Sequence, residues 1–260
     1  MVFIIFAMCN GKRLKSYICS TTVVNSGFAS VSFQFKEIIV CMSLLLNRKI
    51  RGDVQIGVWK IEETPAQLLK MLHLTPMEEK IYQTIQNEER KKQWLSYRVI
   101  IKKLLNLGKI LDINYDKQGK PKILNHYLRV SVTHSGCFSA AILHKNKPTG
   151  IDIEKISPRI KRVKAKFLSQ QELNEISDPE DLETLHTYWG AKEVIYKLQT
   201  LGIISLRKHI YIHPFDLQNT NVIYGEIRHE NLNCLLKITV ERIEDYMLVY
   251  SVDKTRECDQ

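Results

Sequence analysis

Residues 149–156 read TGIDIEKI, with Asp152 and Glu154 two apart among Ile151, Ile153 and Ile156. Successive side chains of a strand point to opposite faces. The spacing therefore predicts both carboxylates on one face and the isoleucines in a core on the other. The stretch also stands where the chain changes. Up to about 146–149 it runs through one mixed set of strands and helices, and beyond that point it runs through a second, similar set. Residues 42–148 and 149–260 are thus expected as two α+β lobes. Two like charges so close are unfavourable without a counter-charge. A hard divalent cation such as Mg²⁺, which takes oxygen ligands, would remove that cost. A solvated strand edge would show the same spacing.

Further on, residues 188–198 read YWGAKEVIYKL. On a helix, Trp189, Glu193 and Lys197 stack along one face at intervals of four. Lys192 lies about 100° round from Glu193 and could approach the same ligand from the side. A Glu–Lys pair at this spacing is common on helix surfaces. The mixture is also what magnesium–phosphate chemistry needs, since an acid shares the metal while lysines neutralise phosphate oxygens. Three shorter stretches add candidates. In VTHSG, His134 and Ser135 end a strand, where a His–Ser pair often serves only as a local hydrogen-bond device. In QGKPKI, Lys120 and Pro121 follow a glycine turn. In WLSYRVIIKKLL, Arg98 sits among core-like leucines, and its guanidinium would suit a phosphate clamp.

Local signals place these stretches on elements. Residues 53–61 alternate as a strand. Pro65 and Pro76 each open a helix, the second running to about Asn106 with Gly108 as its stop. Residues 116–119 form a turn, and 128–135, 137–144 and 150–156 form strands. Ser169 and Glu172 make a capping box, and a further helix covers about 181–198. Three strands close the chain, at 221–229, 234–243 and 246–252. Residues 1–41 carry one acid, Glu37, against four bases and show no sustained period. They are expected as a poorly ordered extension, with Met42 the working start.

Apolar residues make up 44% of the 260 and charged residues 25%, as in ordinary globular proteins. The formal charge of +10 favours anionic partners without choosing among them. No apolar run is long enough to cross a bilayer, and the N-terminal run lacks the layout of a secretory signal. The six cysteines form no CxxC pair, so free thiols in a cytoplasmic location are expected.

The order of the pieces is more specific than any one of them. The basic helix with Arg98, then GKP, a strand ending in HS, GIDIE and W-x-x-K-E-x-x-x-K together resemble the 4′-phosphopantetheinyl transferase superfamily. The likeness is to its two-lobed, surfactin-synthetase-activating branch and covers most of 42–250. It implies a pseudo-dimer of two similar α+β lobes with the active site in the cleft between them. It implies transfer of the phosphopantetheine arm of coenzyme A to a serine of an apo acyl, peptidyl or polyketide carrier protein, releasing adenosine 3′,5′-bisphosphate. By motif, Asp152, Glu154 and Glu193 would bind Mg²⁺, and Lys192 and Lys197 would lie near the phosphates. Glu193 or a metal-bound water would act as base. His134, with Ser135 beside it, and Arg98 would contact coenzyme A phosphates, while Lys120 and Pro121 would lie by the adenine. A two-lobed chain completes such a site alone, so a monomer is expected, without nucleic-acid or membrane partners. Gly190 and Val194 depart from the family's usual residues, and a mid-helix glycine points to close packing there. A different magnesium-dependent phosphate enzyme, such as a nuclease or nucleotidyl transferase, would use the same acids. It would also need an aromatic-interleaved basic groove that this chain lacks.

Overall fold

The computed structural model describes residues 2–7, 15–20, 44–50, 53–106, 111–117, 119–124, 126–199, 204–229 and 232–252. The chain divides into two compact units, Met1–Met42 and Ser43–Gln260. In the first, β1 (Val2–Ala7) pairs antiparallel with β2 (Lys15–Ser20), Val2 opposite Ser20. The rest of the expected extension 1–41 lies outside the described residues.

In the second unit, a four-stranded antiparallel sheet runs in the order β3–β4–β8–β7. Its strands are β3 (Leu44–Ile50), β4 (Val54–Lys60), β7 (Arg129–Ser135) and β8 (Phe138–His144). A five-stranded sheet runs β10–β11–β12–β13–β9, with β9 (Gly150–Lys155), β10 (Ile210–Ile212), β11 (Val222–His229), β12 (Leu232–Ile243) and β13 (Tyr246–Ser251). A small hairpin, β5 (Ile113–Tyr115) with β6 (Pro121–Ile123), turns through Gly119 at φ +77°.

Side-chain alternation stacks these sheets. Val54, Ile56, Val58, Phe138, Ala140 and Ile142 of the first meet Ile151, Ile153, Tyr246, Leu248 and Tyr250 of the second in one shared core. Sheet-on-sheet packing leaves each outer face to be covered by helix. On the first sheet Trp59, Ala141 and Leu143 pack against Leu95, Val99 and Ile100 of α3 (Glu88–Leu104). On the second, Val249, Ile223 and Leu236 pack against Ala191, Val194 and Ile195 of α6 (Leu182–Leu198). Asp152 and Glu154 alternate with the core isoleucines of β9 and so turn toward α6.

Helix starts follow the local signals. Thr64 and Thr75 form capping boxes with Gln67 and Glu78 ahead of α1 (Pro65–Lys70) and α2 (Pro76–Thr84). Ser169 and Glu172 do the same for α5 (Gln170–Glu175), and Asp181 caps α6. The remaining helices are α4 (Arg159–Phe167) and α7 (Leu206–His209). The single helix expected from Pro76 to Asn106 is two helices. Ile85 is extended, and the Asn87 side chain accepts from Arg90 N at 2.9 Å to start α3 afresh. Its expected stop, Gly108, lies outside the described residues. Cys137 is a free, exposed thiol, whereas Cys234 is disulfide-bonded, a departure from the expectation of free thiols. Among the described residues no helix is long and apolar enough to cross a membrane.

Candidate active site

The site lies where β7, an edge of the first sheet, runs beside β9, an edge of the second. Asp152 is 4% exposed. Its Oδ1 accepts from Thr133 Oγ1 at 3.0 Å and from Lys197 Nζ at 2.8 Å, while its Oδ2 is buried without a partner. Lys197 also donates to the Ile151 carbonyl at 2.9 Å. Glu154 accepts from Ser135 Oγ at 2.8 Å and from the Trp189 indole. From α6, Glu193 faces the same charges. Burial raises the pKa of both Glu154 and Glu193, and the neighbouring Asp152 carboxylate raises each further. Three acids thus share one field, eased by Lys197.

Gly190 allows α6 to approach this closely. A Cβ there would stand 2.8 Å from Val249 Cγ2 and 3.7 Å from Asp152 Oδ2. Its place in mid-helix costs about 1 kcal/mol relative to alanine. Trp189, one residue earlier, packs edge-on to Phe167 at 5.3 Å and turns its indole N–H to Glu154.

On the β7 side, Arg90 of α3 donates to His134 Nε2. Burial, then the charges of Arg90 and Lys197, lower the His134 pKa to about 4. The imidazole is therefore neutral at physiological pH, with Nε2 as acceptor. Lys120 reaches from the β5–β6 turn to the carbonyl of Gln199, the C-cap of α6, and burial lowers its pKa. Pro121 follows it, half-buried, at the start of β6.

Two expected site residues stand elsewhere. Arg98 is 1% exposed and stacks on Trp94, its Cζ 3.3 Å from the ring centroid. It pairs with buried Glu78 at 3.1 Å and donates to the Trp94 carbonyl and the Tyr97 hydroxyl. This guanidinium is a core group, not a phosphate clamp presented at the surface. Arg90, exposed and eight residues earlier on the same helix, is the arginine beside His134. Lys192 is 0% exposed. Its Nζ lies 2.8 Å from both Glu172 carboxylate oxygens and donates to the carbonyls of Leu206 and Ile210. It ties α6 to α5, α7 and β10 and does not face the acids. Thr133 was absent from the sequence candidates, although it immediately precedes His134.

Residues 148–249 match the model of the 4′-phosphopantetheinyl transferase superfamily. The matched segment contains Asp152, Glu154, Glu193 and Lys197. It leaves out α3, with Arg90, and the first sheet, with Thr133, His134 and Ser135. No curated protein matches the chain.

Whether these residues suit a divalent ion is a question of their chemistry. Among the described residues, no three His, Cys, Asp or Glu side chains are drawn together as a finished metal cage. Lys197 occupies Asp152 Oδ1 instead. The donors are all carboxylates, one buried oxygen has no partner, and two of the acids resist a second negative charge. This set fits a hard cation and would be relieved by one.

Proposed function

We propose that this protein transfers the 4′-phosphopantetheine arm of coenzyme A to a serine of an apo carrier protein. One observation carries the reading: the strand acids Asp152 and Glu154 meet the helix residues Glu193 and Lys197 inside the segment that matches the superfamily. The serine Oγ attacks the β-phosphorus of the diphosphate. The bond from that phosphorus to the bridging oxygen breaks, and adenosine 3′,5′-bisphosphate leaves with the electron pair.

Glu193, which faces the strand acids from α6, or a metal-bound water takes the serine proton. Lys197, already at Asp152, offers its ammonium to charge on the phosphates. Asp152, Glu154 and Glu193 would hold Mg²⁺, which when bound supplies Lewis-acid stabilisation of the diphosphate. Arg90 replaces Arg98 as the cation that meets a coenzyme A phosphate beside His134. Lys120 and Pro121 border the adenine.

The two stacked sheets, each with its own helix layer, support the two-lobed branch and a monomer with its site at the seam. The net charge supports an acidic carrier as partner, and a cytoplasmic location accords with that partner. The test is intact-mass analysis of several apo carriers incubated with the protein, coenzyme A and Mg²⁺. A gain of one phosphopantetheine is expected, and no gain on any carrier refutes the proposal.

A further inference from the structure

Three hydroxyls of β7 meet three backbone N–H groups of β9 in strict alternation. Ser131 Oγ accepts from Ile151 N at 3.4 Å, Thr133 Oγ1 from Ile153 N at 3.3 Å and Ser135 Oγ from Lys155 N at 3.2 Å. Side chains thereby stand in for the carbonyls that a neighbouring strand would offer, and they satisfy the exposed edge of β9.

Two of these hydroxyls do something more. Thr133 Oγ1 donates a hydrogen bond to Asp152 Oδ1 at 3.0 Å, and Ser135 Oγ donates one to Glu154 Oε2 at 2.8 Å. Ser131 has no acid to serve, because the β9 residue at that step is Gly150. A hydroxyl has one proton. Once its oxygen takes a hydrogen from the backbone, that proton is directed at the carboxylate, and each bond polarises the next.

We infer that Thr133 and Ser135 are positioning residues that hold Asp152 and Glu154 in their working rotamers. The arrangement selects an oxygen as well as a rotamer. On Asp152, Thr133 and Lys197 occupy Oδ1, which leaves the buried, unpartnered Oδ2 beside Gly190 of α6. It also makes the contact between the two sheets part of the site, because any shift of β7 along β9 would pull both carboxylates. The inference rests on the proposed transfer reading, since it assumes that these two acids work on a divalent ion.

The test compares Thr133→Val, which keeps the shape and deletes the hydroxyl, with Thr133→Ser, which restores it, and adds Ser135→Ala. The readouts are Mn²⁺ affinity of the full chain by calorimetry without coenzyme A, kcat and KM for carrier modification, and thermal melting. Removing partners that orient metal ligands lowers affinity about 10–100-fold. Thr133→Val should weaken Mn²⁺ binding by that factor and lower kcat with little change in KM for coenzyme A. Thr133→Ser should return both to within about threefold of the parent. Should Thr133→Val not fold, half-buried Ser135→Ala carries the same test.

A merely structural role would lower melting and leave Mn²⁺ affinity and kcat alone, and that result overturns the inference. So does a Thr133→Ser protein no better than Thr133→Val, or a parent chain that takes up no Mn²⁺. The predicted order of affinities without modification of any carrier would keep the positioning role and remove the transfer reading. Full transfer by all variants would do the reverse.

Discussion

Replacing Lys192 with methionine separates two roles that its place in the sequence leaves open. In the structure the ammonium is fully buried. It holds Glu172, itself buried, together with two backbone carbonyls, Leu206 and Ile210. Glu172 keeps three other donors after the change: Ser169 N, Ser169 Oγ and Ile212 N. It would still be a carboxylate in the core without its cation. Breaking a buried pair from one side costs about 3–5 kcal/mol. The two stranded carbonyls keep the expected loss toward the upper end. That is a large part of the roughly 5–15 kcal/mol by which a domain is stable. It corresponds to a fall in Tm on the order of 10 °C for a chain of this size. The burial that lowers the Lys192 pKa reports the same desolvation. Urea unfolding at neutral pH measures the loss, and single-turnover transfer on the folded fraction measures catalysis. The expected result is lower stability with transfer per folded molecule kept within a few-fold. Adding Glu172→Gln should recover part of the stability, because the uncompensated charge is gone. A Lys192→Met protein as stable as the parent but deficient in transfer would refute the reasoning and return Lys192 to the phosphates.

The two arginines should divide in the same way. Arg90→Met is expected to raise KM for coenzyme A on the order of tenfold with stability within about 0.5 kcal/mol, while Arg98→Met loses about 3–5 kcal/mol; initial rates and urea midpoints check both. Asp152→Asn or Glu193→Gln should each lower transfer at least about 100-fold with circular dichroism unchanged, and near-normal rates would remove the assigned roles. His134 supplies a pH test. Its folded pKa of about 4 lies below the ordinary 6.5, so the unfolded chain binds the extra proton between those values and stability rises with pH across that window. Because the ring is only partly buried, solvent screening cuts the term to the order of 1–2 kcal/mol. His134→Gln should therefore gain on the parent by that amount as pH falls from neutral to about 4.5, read from urea midpoints at both values.

Some of this was legible from local chemistry. The two-residue step of Asp152 and Glu154 needs only the pleat, and the Ser169–Glu172 box needs only one turn of helix. What escaped depended on distant partners. The break between α2 and α3 carries no proline or glycine, and its one signal is Asn87. Arg90 and Arg98 are eight apart on one helix and look alike in sequence. Glu78, whose capping box is itself local, draws Arg98 into the core, and that meeting belongs to tertiary structure. Lys192 is adjacent to Glu193, yet a step of 100° turns it from the acids to Glu172, twenty residues away. Thr133 carries no local signal of its role, because a threonine in a strand usually reports β propensity. Only the neighbouring edge of β9 shows what its hydroxyl touches.

The departures from ordinary packing rules gather in one place. Across α6 and β9 most residues follow the pattern of apolar inside and capped ends. Where one turn of α6 meets β9 there is a glycine where alanine would be the better helix former, an aspartate oxygen buried without a donor, and two glutamates held toward their neutral forms. Each alone is a small cost with many explanations. Their causes are shared, however. The glycine brings the helix close enough to hem in Oδ2, and burial at that contact, then closeness to Asp152, discourages charge on Glu154 and Glu193. An added positive charge at that spot would relieve the last two costs at once, and Lys197 supplies only part of it. Costs that one ligand would remove together are better explained by that ligand than by stability, which is the argument for proposing the chemistry at the β9–α6 contact rather than elsewhere on a basic surface.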